Sequence, residues 1–284
     1  MRIVLITGAA RGIGFETAQH LAKTGYRVYA MVRSSSDTAD LDILIKDLPI
    51  KKVVADVTDS CSIEDAVQAI IKNEGCIDVV INNACHVVVG TCETCTIDEQ
   101  QESMNVNYFG AVRVLQSVLP HMRKKGSGQI IQISSVAGYE PFPHLESYVA
   151  SKFALEGLTE SLASHLVPWN IHISLVEPGG VKTEAPRQAP LGSRVLADTN
   201  TYEHYLKHAK QQMIQGYEQS MEPSEVVQVI DDILQSKNPH LRYPIGNFAK
   251  MRAQERFQDP TGDSYVAFKN QLLANSYLYN ILGT

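Results

Sequence analysis

No apolar run in the 284 residues reaches the ~18 that a membrane-spanning helix requires, so no span of that kind is expected. Basic residues are scattered and the formal net charge is -6, which excludes the positive stripe typical of nucleic-acid binding. Arg2-Ile3-Val4-Leu5-Ile6-Thr7 reads as a strand directly after Met1, so no signal or transit segment is expected. No repeat or low-complexity linker divides the chain. Its cysteines, Cys61, Cys76, Cys85, Cys92 and Cys95, are odd in number and are read as reduced thiols. Cys92 and Cys95 form a C-x-x-C, but no second pair stands at zinc spacing and His86 is the only histidine nearby in sequence. The pair also lies between a strand and a helix rather than at the start of a redox helix. These features together suggest one soluble, cytoplasmic domain with reduced thiols and no metal.

What the chain does have is alternation. Apolar, β-rich runs fall at 2–7, 26–32, 52–57, 77–82, 129–134 and 171–176, with a weaker one at 241–245. Amphipathic stretches of helical period lie between them, at 12–24, 61–74, 98–125 and 147–166. Near-continuous apolar strands separated by helices predict an α/β fold, a doubly wound and mostly parallel sheet of about seven strands. The domain is expected to span 1–245. Within it, 184–221 is a polar, then helical, segment suited to a substrate loop or lid, and 246–284 is a helical C-terminal extension packed on the same domain.

The first strand runs into Thr7-Gly8-Ala9-Ala10-Arg11-Gly12-Ile13-Gly14, and a helix follows. Glycines there allow a tight turn and close backbone approach to a phosphate at the helix N-terminus. The second strand ends in Val32-Arg33-Ser34, where an acid that would bind both ribose hydroxyls is missing. Arg33, with Arg11 in the glycine turn, suits a 2′-phosphate, which favours NADP(H) over NAD(H). Asp56 and Val57 end the third strand, and Asn82-Asn83-Ala84 ends the fourth. Asp56 could accept from an adenine amino group and the backbone at Asn83 and Ala84 could line a ribose, though each could also be an ordinary turn or cap residue.

Tyr148 and Lys152 lie one helical turn apart, on the same face. A free phenol titrates near pH ~10, and a neighbouring ammonium draws it down toward a useful range. Alone, the pair is also a common surface arrangement.

Taken with these motifs, the chain resembles the short-chain dehydrogenases/reductases, in the branch marked by TGxxxGxG and YxxxK. The resemblance rests on Thr7–Gly14, Asp56, Asn82-Asn83-Ala84, Asn107-Tyr108-Phe109-Gly110, Ser135, Tyr148, Lys152 and Pro178-Gly179-Gly180-Val181-Lys182-Thr183. It implies a Rossmann-type fold and hydride transfer with a nicotinamide cofactor. By that likeness Ser135 would hold the substrate carbonyl, with Ser134 the near alternative. Tyr148 would be the general acid or base, and Lys152 would bond the nicotinamide ribose and lower the tyrosine pKa. Asn107 would hold a relay water. Gly8, Arg11, Gly12, Ile13, Gly14, Arg33, Asp56, Val57, Asn83 and Ala84 would receive the adenosine and phosphates. Pro178, Gly179, Val181 and Thr183 would cover the nicotinamide.

Two departures stand out: Cys85 replaces the usual glycine after Asn-Asn-Ala, and Ala10 replaces a frequent serine. Val28–Arg33 and Ser151–Gly157 look most like 17β-hydroxysteroid and retinol dehydrogenase relatives, which implies a bulky apolar ketone or alcohol as substrate. Residues 88–96, 140–146 and 184–221 are expected to wall its pocket, with His144 an exposed loop residue. The partner is thus a small molecule, and a homodimer or homotetramer is an expectation from the general frequency of symmetric assemblies. The rival readings are an NAD(P)-binding regulator on the same fold without turnover, and an assembly protein using its last forty residues as an interface.

Overall fold

Seven strands, each four to eight residues long, lie side by side among the described residues of the computed structural model, which are 1–194, 199–257, 259–264, 267 and 271. In chain order they are β1 (Ile3–Thr7), β2 (Arg27–Val32), β3 (Ile50–Val54), β4 (Val79–Asn82), β5 (Gly128–Ile133), β6 (Ile171–Pro178) and β7 (Arg242–Ile245). All pairings are parallel, in the order β3-β2-β1-β4-β5-β6-β7. The order reverses between β1 and β4, so the helices leaving these strands diverge and open a crevice at their carboxyl ends.

The helices are α1 (Gly12–Lys23), α2 (Ala39–Leu44), α3 (Ser60–Glu74), α4 (Ile97–Met104), α5 (Gly110–Lys125), α6 (Glu146–His165), α7 (Ala185–Gln188), α8 (Thr199–Glu218), α9 (Pro223–Gln235) and α10 (Asn247–Arg256). Alternate residues of each strand point to opposite faces, which produces two apolar layers. Leu5, Val80 and Ile130 face Ile63, Val67 and Ile70 of α3 and Val114, Val118 and Met122 of α5. Val4, Ile6, Ile81 and Ile131 face Ala18 and Leu21 of α1 and Val226, Ile230 and Ile233 of α9. Helices thus cover both faces of a buried parallel sheet, as the near-continuous apolar strands require.

Three expectations are corrected. The third strand is Ile50–Val54 rather than 52–57, because its register against β2 begins at Val28 opposite Ile50. Asp56 and Val57 therefore lie beyond the strand end. The single helix expected over 98–125 is two helices joined by a π-helical turn at Asn105–Phe109. There Gly110 packs against Val57, where a Cβ would stand 3.0 Å from the valine side chain. Finally, α2 and α9 were not singled out in the sequence. α9 begins with a reciprocal cap between Glu222 and Glu225 and with Pro223 at its start; glutamate in place of the usual serine or threonine hides that start in the sequence.

The extension beyond β7 opens with α10. Its Ala249 and Ala253 pack on Val136 and Tyr139, and Tyr139 Oη donates to the Ala249 carbonyl at 3.0 Å. The terminal segment 272–284 lies outside the described residues, and so does any interface built from it.

Candidate active site

The turn after β1 is locked from β4. Thr7 Oγ1 accepts from the N–H groups of both Asn83 (2.9 Å) and Ala84 (3.0 Å). Asn83 Nδ2 returns two bonds, to the carbonyls of Thr7 and Gly8, each 3.0 Å. Both N–H groups at 83 and 84 are thereby committed to the turn. Gly8 has φ +65° and a Cβ there would stand 2.9 Å from Ala84 Cα; a Cβ at Gly14 would stand 2.5 Å from Asn83 Nδ2. The glycines at these two positions are required by close approach of neighbouring chain. Gly12 has φ +57° and opens α1, with Thr183 on its other side, 3.3 Å from where a Cβ would be.

Around this cradle the charges are uncommitted. Arg11 and Arg33 are exposed, and neither has a carboxylate partner among the described residues. The charge of Arg33 reaches His86, whose pKa is lowered first by burial and also by that guanidinium. Ile13 lies in the first turn of α1, its carbonyl accepting from Thr17. Asp56 Oδ1 accepts from the N–H and the hydroxyl of Thr58, at 2.9 and 2.8 Å, which makes it a turn-forming residue in this structure. Asn82 is buried, and neither atom of its amide has a protein partner. It borders a small cavity together with Thr7, Val57, Ala84, Asn107 and Lys152. A glycine cradle at a helix N-terminus, two uncommitted guanidinium groups and an orphaned amide fit a phosphate-rich nucleotide.

On the β6 side, Pro178 pairs with Ile245 and the Gly179 N–H donates to the Ile245 carbonyl at 3.1 Å. Val181 is buried and bridged to Met221, and the Lys182 N–H donates to the Met221 carbonyl at 2.9 Å. The Pro178–Thr183 segment thus passes from β6 to the mouth of the glycine turn.

The reactive side chains come from three elements. Ser135 follows β5 and starts a short 3-10 turn, Val136–Gly138, its Oγ accepting from the Ala137 N–H at 3.1 Å. The two adjacent serines part company: Ser134 Oγ donates to Glu156, whereas Ser135 lies beside Tyr148 and draws the pKa of its phenol down. Lys152 is buried, its Nζ donating to the Ile133 carbonyl at 2.8 Å and standing 5.6 Å from the centroid of the Tyr148 ring. Asn107 lies in the π-helical turn. Its Oδ1 accepts from the His86 N–H (2.7 Å), and its Nδ2 donates to the His86 carbonyl and to Ser151 Oγ (both 2.8 Å).

One expectation changes here. The Tyr148 phenol sits well above its ordinary range, not below it. Burial is the main cause, and the neighbouring Cys85 and Tyr217 add to it, against the opposing pull of Ser135. The Asn107 side chain also has both amide hydrogens committed to protein, so it clamps the loop after β4 to α6.

The residues 2–192 match the family model described as short chain dehydrogenase. The chain belongs to that family. It is 36% identical over 246 residues to a 3-ketodihydrosphingosine reductase of Bacteroides thetaiotaomicron, covering 86% of this chain and 88% of the relative. It is 36% identical to 17-beta-hydroxysteroid dehydrogenase type 1 of Homo sapiens, covering 93% and 83%. It is 35% identical to retinol dehydrogenase 8 of Homo sapiens, covering 96% and 90%. A solved short-chain dehydrogenase from Streptomyces avermitilis superposes with a TM-score of 0.77 at 26% identity, covering 97% of this chain and 98% of that one.

In this short-chain dehydrogenase the three segments expected to wall the substrate pocket meet. The Val89 N–H donates to the Pro190 carbonyl, the Gly192 N–H to the Val89 carbonyl, and the Gly90 N–H to the His144 carbonyl, at 2.8–2.9 Å. Cys95 is wedged among them: a Cβ at Gly90 would lie 2.4 Å from its Sγ, and burial pushes its thiol up to about 11. His144 is half-buried, with φ +65°, rather than exposed. Sequence reasoning missed Tyr217 of α8, which is near enough to help raise the pKa of Tyr148, because only the tertiary fold brings that helix toward the site. It also missed Ser151, which lies between the two motif residues and bonds Asn107. Among the described residues no cluster of metal-ligating side chains occurs, and no helix is long and apolar enough to cross a membrane.

Proposed function

We propose that this chain is an NADP(H)-dependent oxidoreductase interconverting a carbonyl and an alcohol, with Tyr148 as general acid and base. The observation that carries the reading is the convergence of Ser135 and Lys152 on the Tyr148 phenol beside the glycine cradle of α1. The nicotinamide, when bound, supplies or accepts the hydride. Gly8, Arg11, Gly12, Ile13 and Gly14 would hold its phosphates, and Arg33 a 2′-phosphate. Asp56, Val57, Asn83 and Ala84 would border the adenosine, while Pro178, Gly179, Val181 and Thr183 would cover the nicotinamide.

The protein's own part follows from charge development. Reduction builds negative charge on the carbonyl oxygen, and the Ser135 hydroxyl and the Tyr148 phenol donate to that oxygen. Tyr148 then gives up its proton, and the nearby Lys152 ammonium stabilises the phenolate left behind. Asn107 and Lys152 border the same small cavity, which supports a proton relay through a water held there. Relatives named for 3-ketodihydrosphingosine, a 17-beta-hydroxysteroid and retinol support a bulky apolar ketone or alcohol as substrate. Five free thiols suit a reducing compartment such as the cytoplasm.

Tyr148→Phe should lower turnover of a ketone panel by roughly 10²–10⁴-fold, the usual worth of general acid–base catalysis. NADPH binding, followed by fluorescence, should be largely kept. Normal turnover in Tyr148→Phe would refute the role of the phenol. Arg33→Asp should weaken NADPH by about tenfold or more and leave NADH little changed, since a charged hydrogen bond is worth ~1.5–3 kcal/mol. Equal affinity of the unmutated chain for both cofactors would remove the role of Arg33.

A further inference from the structure

The end of β5 is laced to α6 by two bonds from consecutive residues. Lys152 Nζ donates to the Ile133 carbonyl at 2.8 Å, and Ser134 Oγ donates to Glu156 Oε1. Tyr148, Lys152 and Glu156 are spaced by four, so they follow one another along a single face of α6. The two rungs therefore lie one helical turn apart, and Ser135 is the next residue of the strand end. The Ser134 N–H is also committed, donating to the Val176 carbonyl of β6 at 2.8 Å.

The second rung is enclosed on every side. Ser134 and Glu156 are both buried. The other oxygen of Glu156 accepts from Arg242 at 2.6 Å, and the same guanidinium bonds Glu177. The short turn Val136–Gly138 closes on the rung: a Cβ at Gly138 would stand 2.6 Å from Glu156 Oε1 and 2.9 Å from Ser134 Oγ. That turn in turn grips Ser135. The Gly138 N–H donates to the Ser135 carbonyl at 2.8 Å, and the Ala137 N–H donates to Ser135 Oγ at 3.1 Å. Ser135 Oγ thus accepts from the protein and has its own proton left to donate, whereas the Ser134 hydroxyl has given its proton to a carboxylate.

We propose that Ser134 is a positioning residue: its hydroxyl, bonded to the carboxylate of Glu156 that Arg242 holds, fixes the Val136–Gly138 turn so that the Ser135 hydroxyl reaches the substrate oxygen. The inference rests on the oxidoreductase reading above and divides the work of the two serines. Ser135 donates to the reacting oxygen, and Ser134 acts only through Ser135. Of the two rungs, the first is made by Lys152, which also stabilises the phenolate. The second has no other task. A donor displaced by about 1 Å loses ~10²-fold in rate, so the loss of one tether among several should lower turnover by about tenfold.

The test is a double-mutant cycle on kcat in the full chain, using the ketone of the panel that wild type reduces fastest. Ser134→Ala should lower kcat by about tenfold, with KM for NADPH and for the ketone, and the circular dichroism spectrum, little changed. Ser135→Ala alone should cost roughly 10²–10³-fold, the usual worth of one donor to a developing oxyanion. Adding Ser134→Ala to Ser135→Ala should then cost about twofold or less, because the group being positioned is already gone. A general structural role for Ser134 would repeat the full loss in both backgrounds. That outcome, or a normal kcat in Ser134→Ala, overturns the proposal. If Ser134→Ala fails to fold, Ser134→Cys, which nearly keeps the volume but donates weakly, decides by the same cycle. An active wild type with the same loss in both backgrounds refutes Ser134 alone; a wild type inactive on every ketone and alcohol refutes the oxidoreductase reading and the proposal with it.

Discussion

At the carboxyl edge of the sheet, β1 and β4 are joined by neutral hydrogen bonds, whereas β6 and β7 are joined by buried charge. In the first region Thr7-Gly8 and Asn83-Ala84 exchange four bonds at 2.9–3.0 Å, none of which involves a charged group. In the second, Arg242 of β7 is buried and bonded to Glu156 and Glu160 of α6 and to Glu177 of β6, with Phe257 under its guanidinium at 4.3 Å. Three carboxylates surround one guanidinium, so the cluster carries an excess of negative charge. Burial raises Glu177 well above its ordinary range, and the neighbouring Glu156 raises it further. The difference has a physical sense. A region that must receive an anionic ligand is held by groups that carry no charge of their own. The region that anchors α6 beyond Tyr148 uses charges whose loss would be expensive.

Three changes would break or sharpen that contrast. The largest effect should come from Arg242→Ala, which leaves Glu156 and Glu177 facing each other in the core. It should destabilise the fold by about 3–5 kcal/mol, read from urea denaturation. Thr7→Val keeps the shape but leaves the Asn83 and Ala84 N–H groups without their acceptor. A loss of about 1–3 kcal/mol is expected, together with weaker NADPH binding because the cradle loosens. If Thr7→Val proved as costly as Arg242→Ala, the contrast between the two regions would disappear.

The smallest change is Glu177→Gln, whose effect lies in pH dependence. A raised folded-state pKa means that the stability contributed by protonated Glu177 is fully present below the unfolded value of ~4.3 and declines as pH rises through the folded one. Glu177→Gln should flatten that alkaline decline in a series of denaturation curves. Glu74 behaves in the opposite sense: hydrogen bonds from Tyr29, Lys51 and Arg27 hold it at about 2 against an ordinary 4.5. Its contribution is present above the ordinary value and is lost as pH falls through about 2, so the acid limb should be the same in Glu177→Gln and wild type. A variant curve parallel to wild type on the alkaline side would show that Glu177 is ionised in the folded chain.

The glycine turn, the Tyr148–Lys152 pair and the alternation of strands and helices were legible because each depends on a local requirement. A positive φ calls for glycine, an i, i+4 pair shares a helix face, and a buried parallel strand must be apolar along its whole length. The Glu156–Glu177–Arg242 cluster was not legible, since its members are separated by up to 86 residues and none belongs to a local pattern. The same holds for Tyr217. The direction of the Tyr148 shift was misread for a related reason: spacing along α6 shows which ammonium is near, but burial and the approach of Cys85 and Tyr217 depend on other elements.

The order of short-range signals along the chain determined the doubly wound sheet, its crevice and the identities of the groups placed at the crevice mouth. Those features follow from backbone geometry and the burial of apolar faces, which act within a few residues. Only the tertiary structure decided which serine meets the phenol, what Asn107 grips and how acidic Tyr148 is. Each of those depends on distances and burial created when separate elements pack together.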